Sequence, residues 1–389
     1  MTQVPAGFDD IALEMRAAHE RLLQALVGRG YVISAYPVDK PAARPDGQAA
    51  ALAYPIQGVL KYHGLSDWAQ RIAYLPSISV NNDAAHTVTL VSFQPGLPGD
   101  RLVLNGEATG GRALERVSAA LDAVRAYAGI ASPAEVLTRN VVRASRTGKG
   151  LGTSASASAA LAMAALAAAF GAEAVANTRF LSCMARLLAG SGCRSATGGL
   201  SLWLSYPGAA HADSFALRLD DQEQLAELAL LTVPLDSRIG LNTEQAHREA
   251  PHSPFFVEWM RQREAEIIAC LDAVQAGDWR TIGQFAELDS IRLHGVTMSA
   301  SRENKLFAWE PENIPLFRMC NRLRDAGVPV YFSTDTGPTT VFMTHKSHIA
   351  RVVQEIEALG DYEVVTGGLA GPARLLAIAE ARERLEAES

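Results

Sequence analysis

Apolar positions near the start of the chain recur at helical spacing. Ile11, Met15, Leu22, Leu23 and Leu26 share a face with His19, and Gly28 and Gly30 close the segment, so residues 8–29 read as an amphipathic helix. Residues 37–50 are rich in Pro and Ala and read as a loop or linker. The pattern then shortens to strand length at Ile56–Tyr62, Ser77–Val80, His86–Phe93 and Leu102–Leu104, the last running into an Asn105-Gly106 hairpin turn. Gly111–Ala128 returns to helical spacing through Leu114, Val117, Leu121 and Val124, and Glu135–Arg143 reads as a strand. Ala155–Phe170 is apolar almost throughout and predicts a long helix capped by Gly171. A helix over Asn177–Leu188 and a strand over Leu200–Tyr206 follow.

The texture changes near residues 207–215. Beyond it the pattern predicts a strand at Leu228–Pro234 and helices at Phe255–Ala276, Trp279–Leu293 and Ile314–Ala326. Strands at Val328–Ser333 and Thr340–Thr344 flank a turn at Asp335–Pro338, before a helix at His348–Leu359 and a strand at Tyr362–Val365. Helices and strands alternate without a regular βαβ order and without an internal repeat, which places the chain in the α+β class.

The length of 389 residues allows two or three domains. With 48% hydrophobic and 20% charged residues, it is not the composition of a disordered chain. A net charge of −7 argues against a nucleic-acid binder while leaving room for a local basic pocket. The four cysteines, Cys183, Cys193, Cys270 and Cys320, are scattered, so neither a zinc site nor a disulfide framework is expected. The opening residues MTQVPAGFDD lack a basic stretch followed by an apolar one, and the 155–170 run is short for a bilayer span. The expectation is a cytoplasmic protein with no membrane partner.

Three stretches carry chemistry. In Gly148-Lys149-Gly150-Leu151-Gly152-Thr153-Ser154-Ala155-Ser156, glycines precede a helix N-terminus, and that combination favours a phosphate site. Thr153, Ser154 and Ser156 add hydroxyls for phosphate or Mg²⁺, and Lys149, Arg146 and Arg143 add positive charge. The order is neither a Walker A loop nor a dinucleotide fingerprint. A glycine-rich loop from Gly190 to Gly199 holds Arg194, a fork for a carboxylate or phosphate or else a partner of backbone carbonyls. Asp335, at a strand end beside Gly337, suits a general base, a metal ligand or a turn. Lys61 needs an anionic partner if buried, His63 reads as a packed residue, and His294 reads as a charge at a helix C-terminus.

Taken in order, these stretches resemble the diphosphomevalonate decarboxylase family, within the wider group of galactokinase, homoserine kinase, mevalonate kinase and phosphomevalonate kinase folds. The resemblance runs from about residue 53 to 345. It rests on Lys61-Tyr62-His63-Gly64, Leu75-Pro76-Ser77, Leu104-Asn105-Gly106-Glu107, the 146–156 segment, Gly190–Gly199, Asp289–His294 and Ser333–Thr339. It implies a two-domain α+β fold with the active site in a cleft between domains: an N-terminal extension at 1–50, an ATP-binding domain at 51–206 and a second domain at 207–389.

The resemblance also implies a reaction. ATP phosphorylates the tertiary 3-hydroxyl of a 5-phosphorylated mevalonate, phosphate leaves, and loss of CO2 creates an alkene. Asp335 is then the base or orienter of that hydroxyl, Arg194 grips the carboxylate, and Lys61 lies beside Asp335. Gly148, Lys149, Gly150, Gly152, Thr153, Ser154 and Ser156 hold ATP, with Mg²⁺ near Ser154. Tyr62, Ser191 and Arg146 contact substrate. Where the family reads Y-W-G-K, this chain has His63 for the tryptophan and Leu65 for the second lysine. Losing that cation turns the expectation from mevalonate 5-diphosphate toward mevalonate 5-phosphate, giving isopentenyl phosphate. The diphosphate, a mevalonate 3,5-bisphosphate reaction without ATP, and a mevalonate 3-kinase are the alternatives, and a homodimer is an open expectation.

Overall fold

A computed structural model describes residues 8–146, 148–238, 242–301 and 305–387. The chain opens with α1 (Asp9–Gly28), then β1 (Gln48–Ala53), β2 (Ile56–Leu60), β3 (Leu65–Asp67), β4 (Ile72–Ala73), β5 (Ser77–Asn81) and β6 (Ala85–Phe93). β7 (Arg101–Leu104), β8 (Glu107–Thr109), α2 (Gly111–Ala128), β9 (Ala134–Val142), α3 (Thr153–Phe170), α4 (Thr178–Ala185) and α5 (Gly192–Thr197) follow. Next are β10 (Leu200–Leu204), β11 (Phe215–Arg218), β12 (Leu228–Val233), α6 (Thr243–Glu249), α7 (Phe256–Gln275), α8 (Trp279–Ala300) and α9 (Asn313–Asp325). β13 (Val330–Thr334), β14 (Thr340–His345), α10 (Ile349–Glu357), β15 (Val365–Gly368), β16 (Arg374–Leu376) and α11 (Ile378–Glu386) complete it.

Three sheets organise these elements. The first runs β16-β1-β6-β9-β7-β8, antiparallel except for the β7–β9 pair. The second runs β11-β10-β5-β2 and the third β13-β14-β12-β15, while β3 and β4 form a small hairpin. α3 lies on the first sheet, with Leu161, Ala164, Leu166 and Ala168 against Ala51, Val91, Phe93 and Val136. Its alanines let helix and sheet backbones approach closely: a Cβ on Gly47 would sit 1.9 Å from the Ala168 carbonyl oxygen. A helix buried all round is apolar all round. α3 is therefore long and apolar enough to cross a bilayer, yet 83% of it is buried in this core.

The second sheet packs against α1, α7 and α8 through Leu22, Leu26, Val59, Leu60, Ile267, Leu271 and Ile282. α1 rests on α7 as well, with Arg21 bonded bidentately to Glu264 at 2.6 and 2.7 Å. The third sheet is covered by α9 and α10 through Leu316, Met319, Phe332, Phe342, Val352 and Ile356.

Several local expectations change. Residues 48–50, read as linker, begin β1, because alanines that look featureless in sequence become buried between β16 and β6. The 50/51 division therefore falls inside a strand. β16 also returns from the C-terminal segment to pair Leu376 with Ala50. α8 does not stop at Leu293: Val296 and Ala300 continue its buried face, so His294 is an interior helix residue and not a C-terminal charge. The strand expected at 362–365 lies at 365–368, its glycines having hidden it, and α6, β16 and α11 went unread for want of apolar periodicity.

Candidate active site

The main cleft encloses about 840 Å³ and gathers residues from both ends of the sequence. Its walls come from the segment after β2, the glycine-rich turn before α3, the start of α5, α6 and the turn after β13. Asp335, Arg194, Lys61, Tyr62, Ser191, Gly148, Lys149, Gly150, Gly152, Thr153 and Ser154 all line it. Two residues expected there do not. Ser156 is buried within α3, bonded to Thr87 Oγ1 at 2.7 Å and to the Thr153 carbonyl at 3.0 Å. Arg146 turns to the surface, where it pairs with Asp361 and donates to that residue's carbonyl at 2.6 Å.

Lys61 is 3% exposed. Its Nζ donates to the Gly58 carbonyl at 2.8 Å, Ser333 Oγ at 2.7 Å and Asp335 Oδ1 at 2.7 Å. Three acceptors use all three ammonium hydrogens. Burial pushes its pKa down, and the Asp335 carboxylate opposes that. With every hydrogen accepted and a carboxylate in contact, the geometry holds Lys61 as a cation. Ser333 is fixed in turn, donating to the Gly58 carbonyl at 2.7 Å and accepting from Gln57 Nε2 at 2.8 Å. Asp335 keeps a quarter of its side chain exposed and faces the cleft. This contact needs a glycine at 58: a Cβ there would lie 2.6 Å from Lys61 Cδ and 2.9 Å from Asp335 Oδ1.

Asp289 of α8 anchors the same corner. It is wholly buried, accepts from the Lys61 backbone N–H, from Trp259 Nε1 at 2.7 Å and from Arg263 Nη2 at 2.9 Å. His294, one turn on, bonds Thr334 Oγ1 at 3.0 Å, and burial pushes its pKa down to about 3. His63 is packed, as its sequence context suggests: it is fully buried, 3.3 Å from Thr297 Oγ1.

Arg194 sits in the short helix α5 rather than in a loop, because the small residues of 190–199 coil tightly against α3 and α4. Its Nη1 donates to Ser77 Oγ at 2.6 Å, and its Nε is buried without a partner. The Tyr62 and Trp203 rings lie 5.4 and 5.8 Å from its guanidinium carbon. A buried guanidinium with donors to spare, flanked by aromatic faces, suits a carboxylate.

The glycine-rich turn is clasped against the Asp335 turn. Lys149 donates from its backbone to the Leu235 carbonyl at 3.1 Å, and Thr339 donates to the Lys149 carbonyl at 3.2 Å. Gly150 and Gly152 have φ of +102° and +71°, and a Cβ on Gly152 would come within 2.6 Å of the Ile56 carbonyl oxygen. α3 starts with no side-chain cap, so its first N–H groups and the hydroxyls of Thr153 and Ser154 stand at the cleft. An uncapped N-terminus of an 18-residue helix behind a glycine turn fits a polyphosphate. Among the described residues no cluster of His, Cys, Asp and Glu could hold a metal ion. A divalent ion there would therefore depend on phosphate oxygens together with Ser154.

Sequence reading missed part of the lining. His247 and Glu244 come from the unread α6, and His247 Nδ1 accepts from the Gly64 N–H at 2.9 Å. Arg71, Arg112 and Arg116 also line the cleft. The last two were legible in part: four residues apart, they lie on the polar side of the helix whose apolar face was read.

The sequence and the fold are similar to those of known proteins. Residues 53–216 match the model of the diphosphomevalonate decarboxylase-like N-terminal domain. A phosphomevalonate decarboxylase from Haloferax volcanii is 35% identical over 86% of this chain and 99% of that protein. The crystal structure of mevalonate diphosphate decarboxylase from Staphylococcus aureus superposes with a TM-score of 0.77 at 26% identity, covering 85% of this chain and 98% of that one. A structure of the mevalonate diphosphate decarboxylase from Enterococcus faecalis gives 0.76 at 25% identity, covering 85% and 99%, and a structure of MDDEF in complex with MVAPP, AMPPCP and magnesium gives 0.77 at 25% identity, covering 85% and 99%. With the Lys61–Asp335 pair, the buried Arg194 and the glycine turn held in one cleft, the chain belongs to the diphosphomevalonate decarboxylase-like family and has its GHMP-kinase-type fold.

Proposed function

We propose that this protein is an ATP-dependent carboxy-lyase that converts mevalonate 5-phosphate to isopentenyl phosphate. The balance is one ATP and one substrate consumed, with one ADP, one phosphate and one CO2 released. The observation that carries this reading is Asp335, oriented by a buried Lys61, in one cleft with Arg194 and the glycine turn. The monophosphate is favoured because Leu65, at the position of the family's second lysine, gives that wall an apolar side chain. The identity to a relative named phosphomevalonate decarboxylase points the same way.

ATP with Mg²⁺ supplies the phosphoryl group that makes a tertiary hydroxyl able to leave. Gly148, Lys149, Gly150, Gly152 and Thr153 would hold its phosphates, and Ser154 would face the metal. The protein's own groups do the rest. Asp335 accepts the proton of the 3-hydroxyl, and Lys61 fixes the carboxylate that receives it. Arg194 holds the substrate carboxylate where its collapse quenches positive charge at C3. Tyr62 and Ser191 line the substrate side, and Ile56, Leu65, Trp68 and Leu293 reduce water around the reacting centre.

Simultaneous measurement of ADP and CO2 tests this reading. Release of both in a 1:1 ratio from mevalonate 5-phosphate supports it. ADP with a stable phosphorylated acid would make the protein a kinase instead.

A further inference from the structure

α1 lies ahead of residue 53, where the match to the family model begins, yet it reaches the back of the active site. Its apolar face fills a seam. Phe8, Ile11 and Met15 pack with Tyr74 on one side and with Phe256 and Trp259 of α7 on the other. The polar face pairs with α7 through Arg21–Glu264, Arg29–Asp272 and Glu14–Arg261. Each of these pairs has an exposed partner, so water screens it and it adds little. Burial of the apolar face therefore carries the docking.

The seam ends at the segment that holds Lys61. Phe8, Tyr74 and Phe256 form a closed triad of rings, with centroids 5.7 Å (Phe8–Tyr74), 6.2 Å (Phe8–Phe256) and 5.5 Å (Tyr74–Phe256) apart, all at distances where aromatic rings attract. All three are buried. Tyr74 and Phe256 press in turn on Gly64, where a Cβ would lie 3.1 Å from Tyr74 Cδ2 and 3.4 Å from Phe256 Cζ. Gly64 directly follows Lys61-Tyr62-His63, and it sits at φ +78°. Its N–H donates to Nδ1 of His247, which lines the cleft. Gly64 is thus held between the cleft wall and two rings that Phe8 backs. The other end of the segment is tied to the same cluster: Trp259 bonds Asp289, which accepts the Lys61 N–H.

We infer that Phe8 is a positioning residue for the reaction. It acts through Tyr74 and Phe256 to fix the Lys61–Gly64 segment, and α1 is the brace that holds it there. The inference rests on the Lys61–Asp335 pair as the reacting centre. Phe8 itself does not line the cleft. A close-packed interior transmits strain. Loss of the Phe8 ring frees Tyr74 and Phe256 to move off Gly64, and Lys61 Nζ then shifts from its three acceptors.

The test compares Phe8→Ala, Phe8→Leu and Leu121→Ala with the unmodified full chain. Leu121 is wholly buried on α2 and belongs to the core around α3. Phe8→Ala should lower kcat by about 10-fold or more, part of the loss expected for a misplacement near 1 Å, while KM for mevalonate 5-phosphate changes far less. Amide hydrogen exchange at residues 61–65, read by mass spectrometry, should be about 10-fold faster, a local loosening that needs no substrate to be seen. Phe8→Leu fills part of the space and should show both changes with smaller amplitude. Leu121→Ala should lower the melting temperature and move neither. Where the unmodified protein turns over substrate, an unchanged kcat or unchanged exchange in Phe8→Ala overturns the inference, as do equal changes in Leu121→Ala. If Phe8→Ala does not fold, exchange at 61–65 in Phe8→Leu equal to that of the unmodified protein overturns it. Faster exchange in the Phe8 variants, with no mevalonate phosphate turned over by any of the proteins, leaves the brace standing and overturns the functional reading alone.

Discussion

The Nζ of Lys61 lies 2.7 Å from Oδ1 of Asp335, and the missing side chain of Gly58 makes room for both. Gly58→Ala therefore acts on chemistry before stability, because the new methyl displaces the Lys61 side chain from its three acceptors. We expect kcat to fall by about 100-fold, the scale of a misplacement near 1 Å. Steady-state kinetics with a melting curve checks this, and an unchanged kcat would contradict it.

Asp335→Asn keeps the shape and removes the proton acceptor. We expect a loss of about 10²- to 10⁴-fold in kcat with KM little changed. Lys61→Met should also remain folded, since it replaces a buried cation with a chain of similar length, and should lose activity because Asp335 is no longer oriented. Single-turnover measurements that separate binding from phosphoryl transfer test both variants.

Asp289 is the structural counterpart of this pair. It joins the Lys61 backbone, Trp259 and Arg263 in a space without water access. Asp289→Ala leaves the Arg263 guanidinium, wholly buried, without its closest carboxylate. The expected cost is about 3–5 kcal/mol in unfolding free energy, measured by denaturant titration.

Buried histidines set the response to acid. Burial pushes His19 to about 4 and His294 to about 3, and His63 well below its usual value. The unfolded chain takes up these protons below about pH 6.5 while the native state does not. Stability is thus unaffected by them above that pH and falls as the pH drops toward 4, by about 1.4 kcal/mol per pH unit for each histidine that stays neutral. His19→Leu should lose stability less steeply between pH 6.5 and 4.5. An equal slope in both proteins would contradict the assignment.

Much of this was legible from the sequence where chemistry and pattern coincide. Lys61, Arg194, Asp335 and the 148–154 turn stand in stretches whose residue types are unusual together, and the structure brings them into one cleft. What stayed hidden has physical reasons. β1 is alanine-rich, and alanine favours no strand; its partners β6 and β16 are distant in sequence. α6 is polar around most of its surface because it borders the cleft, so it shows no apolar stripe. Ser156 and Arg146 look like ligands in sequence, but one faces the α3–sheet interface and the other faces Asp361. Arg71, from the β3–β4 hairpin, and Arg112 and Arg116 of α2 reach the cleft together only through tertiary contact.

The most direct test of the central claim is turnover of mevalonate 5-phosphate, mevalonate 5-diphosphate and mevalonate 3,5-bisphosphate, each with and without ATP and Mg²⁺, read by mass spectrometry. The account predicts isopentenyl phosphate from the 5-phosphate, only when ATP is present, with the highest kcat/KM of the three. A higher kcat/KM for the 5-diphosphate, or product from the 3,5-bisphosphate without ATP, would contradict it.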